Sequence, residues 1–194
     1  MSTHAFIGVV ENTGTLKYVY NHSDGYPSYL GKMLLKHYNT TELATALVNL
    51  GDISMVRERL APDEGEEHSF KNPVREGPKG GVTTAYHRDR KEPFEICCMS
   101  VDTDDVSADA KKKFWRELKD CSMVYGYLYD TLEKQWYVVI QSQLGNPICA
   151  YSGKDVYWKV CEDLPKTTKL MIDDKALYIH RANFQIIDLA LLNQ

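Results

Sequence analysis

The sequence predicts an α+β fold, an antiparallel sheet of hairpins with two or three helices packed on one face. Three observations carry that expectation. Short β-rich runs recur in neighbouring pairs separated by turn residues, two stretches with a three- and four-residue apolar step lie side by side near residue 40, and no repeat, heptad series or low-complexity tract interrupts them. With 194 residues, 43% apolar and 26% charged, the chain has the size and composition of an ordinary globular domain, and residues 1–194 are read as a single one.

The first hairpin joins AFIGVVE (5–11) to TLKYVY (15–20) through Asn12, Thr13 and Gly14, a turn whose glycine accepts positive φ. NHSDGYP follows as a dense loop, and Pro27 suits the first turn of a helix because its missing N–H would be unpaired there. That helix runs through SYLGKMLLKHY, with Leu30, Met33, Leu34 and Tyr38 on one stripe. Asn39, Thr40 and Thr41 supply caps for a second helix, ELATALVNL, and Gly51 stops it. The two form a helical hairpin. Asp52, Ile53 and Ser54 are positioned to cap a further turn through Arg59. From about 61 to 81 the chain is rich in Pro, Gly and acidic residues with no apolar period, so a long loop is expected, serving as a lid, an inserted arm or a partner-binding segment.

VTTAYH (82–87), the charged turn RDRKEP and FEICCMSV (94–101) read as a second hairpin, and Ser107 as the cap of a helix over 108–120 with Phe114 and Leu118 on its buried face. SMVYGYLYD (122–130) and KQWYVVIQS (134–142) form the clearest hairpin. In it Val124, Tyr127 and Tyr129 oppose Trp136, Val138 and Ile140, the pattern of a sheet buried on one face. PICAYS, DVYWKV and ALYIH are shorter β-like pieces, and FQIIDLALL fits strand or helix equally.

Composition narrows function. A net charge of −4 leaves no general excess of positive charge for a phosphate backbone, so bulk nucleic-acid binding is not expected. No apolar run reaches the length of a membrane span and the first residues do not resemble a signal peptide, so no membrane partner and a cytoplasmic location are expected. Five cysteines without CxxC spacing point to reduced, mostly buried thiols rather than disulfides or a zinc site. No metal or cofactor is expected.

Two segments concentrate functional residue types. Tyr20, His22, Asp24 and Tyr26 stand just before a helix N-terminus, where exposed N–H groups and the dipole favour an anion. The plainer alternative has Asp24 or Ser23 capping the helix and Gly25 in a left-handed turn. In the second segment, which also holds Tyr86, Arg88 and Arg90 offer bidentate bonds to a phosphate or carboxylate, with His87 beside them; the alternative is a solvated turn with internal Arg–Asp pairs. The 13 tyrosines, against 5 Phe and 3 Trp, add stacking surfaces whose hydroxyls need partners where buried.

The run YVYNHSDGYPSYLGKMLLKHY, the segment LGDIS and AYHRDR resemble an uncharacterised family of small proteins common in bacteriophages and some actinobacteria. The resemblance covers the first half of the chain, to about Glu92, and implies a phage setting, where accessory proteins of this size often inhibit host defences. If so, the protein works in the host cytoplasm. No P-loop, GxSxG elbow, Rossmann glycine series or HExxH is present, so binding is favoured over catalysis. The expected activity is sequestration of a small anionic or nucleotide ligand by Tyr20, His22, Asp24, Tyr26, His87, Arg88 and Arg90. The alternatives are protein–protein inhibition of a host defence enzyme and a small hydrolase or phosphoesterase using His22 and Asp24.

Overall fold

The computed structural model describes residues 3–11, 15–100, 125–141, 147–149, 167–172, 175–180 and 187–188. The fold is α+β, with short helices on a mixed sheet. At its centre β1 (Ala5–Val10) pairs antiparallel with β2 (Thr15–Asn21), Ala5 facing Asn21 and Val10 facing Leu16. On its other edge β1 runs parallel to β6 (Tyr125–Asp130), with Ile7 opposite Tyr127. The sheet is therefore not the antiparallel stack that the hairpins suggested. Turn residues reveal which strands are joined locally, whereas the β1–β6 pairing brings together segments about 120 residues apart.

The hairpin of β6 and β7 (Gln135–Gln141) forms as expected, with Tyr129 opposite Trp136 and Tyr127 opposite Val138. It is not buried on one face only. All of β6 is buried, and Leu128 and Tyr137 are as enclosed as Tyr127 and Trp136. Beyond β7 lie β8 (Pro147–Cys149) and β11 (Ile187–Asp188), both antiparallel to it, while β9 (Thr167–Ile172) and β10 (Lys175–His180) make a separate two-stranded sheet. The expected helix at 108–120, the turn at 12–14, Val124 and DVYWKV lie outside the described residues.

A helical layer covers the face carrying Ala5, Ile7, Val9, Val19, Tyr127 and Trp136. It begins with a π-helical turn, Pro27–Gly31, continues as α1 (Lys32–His37), and returns as α2 (Thr41–Val48). Leu30, Leu34 and Tyr38 form the anticipated buried stripe. The Thr40 hydroxyl caps α2 by accepting the Leu43 N–H, and Gly51 leaves the helix at φ 75°. Buried polar tips in this layer are satisfied: the Tyr38 hydroxyl bonds Arg57 O and Thr83 Oγ1, Tyr127 donates to Gly25 O, and Trp136 Nε1 donates to Tyr38 O.

After Gly51 the sequence expectations diverge from the structure in three places. Asp52, Ile53 and Ser54 do not cap a turn; Ile53–Met55 is a strand, β3, because buried Ile53 inserts between Asn21 of β2 and Ala85 of β4 (Thr84–Ala85). Residues 86–90 are not a hairpin turn but a short helix, α3 (Tyr86–Arg90), closed by Lys91 at φ 64°. The next strand, β5 (Cys97–Ser100), pairs with β2 rather than with β4. Cys97 and Cys98 are exposed, unlike the burial expected for most of the cysteines.

The 61–81 loop has no strand or helix but is tied down along its length. Arg59 grips Glu66 through two bonds of 2.8 and 2.9 Å, and Lys79 meets Asp63 at 2.6 Å. His68 is enclosed: its Nδ1 accepts the Val74 N–H, so its Nε2 carries the proton that faces Asp89 Oδ2 at 3.2 Å.

Candidate functional site

Asp52 brings the two polar segments together. Its carboxylate accepts the Tyr20 N–H at 2.9 Å and its carbonyl accepts the Tyr86 N–H at 2.9 Å, so the end of β2 and the start of α3 lie on either side of it. Between them opens a cleft of about 200 Å³ lined by Tyr20, Asp52, Tyr86, Glu92, Pro93 and Glu95. Its walls are aromatic and its charges negative. Burial raises the Asp52 carboxyl above its ordinary value; the Tyr20 N–H opposes that rise, and Glu95 and Glu92 add to it.

The Tyr20 hydroxyl sits 2.7 Å from His4 Nδ1 and 3.2 Å from His22 Nδ1. A phenol has one proton to give, so if both contacts are hydrogen bonds one imidazole accepts it and the other donates its own Nδ1–H to the phenol oxygen. The His4 and His22 rings meet edge to face at 4.8 Å, and His22 lies 6.5 Å from the Tyr86 ring. Burial, then the neighbouring Tyr86 and Asp52, raise the Tyr20 phenol and keep it protonated at neutral pH. A hairpin in which Val10 faces Leu16 also sets His4 across from His22, so the register points to this histidine, which no motif marks.

The second segment is divided in its roles. Arg88 directs Nε and Nη2 onto the Asp89 carboxylate at 2.7 and 2.8 Å, and Nη1 and Nη2 also donate to the carbonyls of Leu60 and Thr83. Asp89 also accepts the Ala85 N–H at 2.7 Å. Burial opposes the charge on Asp89, but the bonds from Arg88 and Ala85, with His68 nearby, hold its carboxyl below the usual range. This is an internal clasp, and Arg88 is engaged in it rather than among the residues that line the cleft. His87 donates from Nδ1 to Glu92 O at 2.8 Å and packs on Phe94 at 5.2 Å, fixing the strip that forms the outer wall of the cleft. Arg90 pairs with Glu92 at 2.9 Å, and its guanidinium lies 4.8 Å from the Phe70 ring centre and 5.9 Å from that of Tyr86.

Asp24 and Tyr26 are placed elsewhere. Asp24 itself takes the left-handed conformation, φ 52°, that the sequence assigned to Gly25, and an N-cap residue would be extended instead. Gly25 is needed for close approach: a Cβ there would lie 2.7 Å from that of Ala5. Tyr26 packs with Tyr29 against the core. The cleft thus unites Tyr20 and Tyr86, with His22 and Arg90 at its margins, and adds Asp52, Glu92 and Glu95. Of these Asp52 was visible within LGDIS only as a cap. Among the described residues, no group of three or more His, Cys, Asp or Glu is arranged to hold a metal, and no helix is long and apolar enough to cross a membrane.

Residues 109–192 match a domain family of unknown function, DUF5052. The match includes β6 and β7 and falls in the opposite half of the chain from the segments that line the cleft. Comparison with curated proteins and with solved structures finds no match.

Proposed function

We propose that this protein acts by binding a small ligand in the cleft between β2, β3 and α3, and that it is a phage-type accessory factor countering host defence. One observation supports the binding part: two polar, aromatic segments more than sixty residues apart meet at Asp52 and enclose an aromatic-walled cleft. The accessory role rests on the resemblance of the DGYP, LGDIS and RDR segments. A nucleotide or other anion would have Arg90 as its cationic partner and the rings of Tyr20 and Tyr86 for stacking. Catalysis is not favoured, because His22 Nδ1 faces the Tyr20 hydroxyl and Asp24 lies outside the cleft.

Purified protein is screened by thermal shift against cyclic nucleotides, ADP-ribose derivatives and organic cations, and any co-purified ligand is identified after denaturation. A saturable shift, with the ligand recovered unchanged, supports binding; conversion of the ligand makes the protein an enzyme instead. Exposed Phe94, at the rim of the cleft, favours a second reading in which the same face docks on a host protein. A host protein captured equally well by the wild type and by Tyr86→Ala would remove the cleft from the account.

A further inference from the structure

Resting on that binding reading, we infer that the cleft takes a small organic cation, an ammonium or guanidinium group on a short stem, rather than an anion. The chain places such a group beside the cleft already: the Arg90 guanidinium rests over the Phe70 and Tyr86 rings and is anchored by Glu92, and Tyr86 and Glu92 are both lining residues. The ring faces there are thus compatible with a planar cation, the arrangement by which aromatic residues hold ammonium and guanidinium ligands.

Charge points the same way. Three carboxylates line the cleft, and with Glu92 engaged by Arg90, Asp52 and Glu95 have no Lys or Arg nitrogen within 4 Å among the described residues. Asp52 is partly buried, so its charge is less screened than in open water, while Glu95 is exposed at the rim. An incoming anion would meet Asp52 and Glu95 first; an incoming cation relieves their mutual repulsion. Size agrees as well. Pockets for drug-sized ligands run from about 300 to 1,000 Å³, whereas this cleft measures about 200 Å³ and suits a charged head group better than a whole nucleotide.

The test is calorimetric titration of the full chain at low salt with agmatine, which carries a guanidinium and an ammonium, with AMP, and with a capped Gly-Arg-Gly peptide. Agmatine is expected to bind one to one and to weaken about tenfold in Asp52→Asn and in Glu95→Gln, substitutions that keep shape and remove charge. Arg90→Ala is decisive because the two ligand classes respond in opposite directions. Removing the resident guanidinium frees the rings and tightens agmatine several-fold, whereas it would weaken an anion.

AMP binding that Arg90→Ala abolishes, with no agmatine binding, overturns the cation inference and leaves the small-ligand reading standing. Agmatine binding that none of the three variants changes places the site elsewhere and overturns the inference. Tighter binding of the peptide than of agmatine overturns the free-ion assignment in favour of a protein side chain. No binding of any of the three probes overturns the cation inference, while the small-ligand reading stands or falls on the wider thermal-shift screen.

Discussion

Tyr38 is 1% exposed, and its hydroxyl reaches Thr83 Oγ1 and Arg57 O. Burial pushes this phenol up to about 12 from 10.0, outweighing the opposing bond from Thr83. The fold therefore favours the protonated form. Its contribution is fully present below pH 10 and is lost as pH rises through about 12, a difference of about 2–3 kcal/mol. Tyr38→Phe should cost about 1–3 kcal/mol at neutral pH and remove that part of the alkaline destabilisation, read as urea midpoints of both proteins across pH 9–12. At Gly25 the constraint is space. Gly25→Ala forces a methyl against Ala5 and the Thr3 carbonyl and should cost about 1–3 kcal/mol, visible as a lower melting temperature by circular dichroism. The sequence marked Gly25 as special for the wrong reason. A tetrapeptide such as DGYP signals a turn, but which residue takes the positive φ depends on the strand behind it.

The two helices were legible because everything that defines them is local: the stripe of Leu30, Leu34 and Tyr38, the Thr40 cap and the Gly51 stop lie within the elements or next to them. β3 was not, since three residues become a strand only through partners on β2 and β4, and β5 was legible as a strand but not in its pairing with β2. The same holds for the cleft, whose two walls were each visible but whose hinge, Asp52, acquires meaning only when Tyr20 and Tyr86 bond to it. The 61–81 loop behaves as an element because its ends are clasped. Bonds from Arg59 and from the Asp63 N–H hold the Glu66 carboxyl at about 2, against an ordinary 4.5. A carboxylate held low stabilises above its ordinary value and loses that contribution as pH falls. Hydrogen exchange of this loop should accelerate between pH 4.5 and about 2 relative to an Arg59→Ala control, in which the acceleration is absent. Asp89→Asn should loosen the opposite anchor at neutral pH, costing about 2–3 kcal/mol in chemical denaturation because Arg88 and His68 lose their charged partner.

Across the whole molecule, β1 is the strand on which both halves depend, with β2 along one edge and β6 along the other. A trace of this was present in the sequence: AFIGVV is an unbroken apolar run, which suits a strand covered on both faces and flanked by a parallel neighbour better than a half-solvated hairpin. A fragment of residues 1–100 would expose that edge and lose Tyr127, Tyr129 and Trp136 from the core. It should show neither dispersed amide signals by NMR nor a cooperative melt, and should aggregate through the open strand. The pairing of Ile7 with Tyr127 also bears on time. During synthesis the N-terminal hairpin emerges long before its neighbour exists, so the central strand remains a template without its partner while the next hundred or so residues are made. Such long-range closure slows folding and leaves the edge of β1 open to mispairing until β6 has been made.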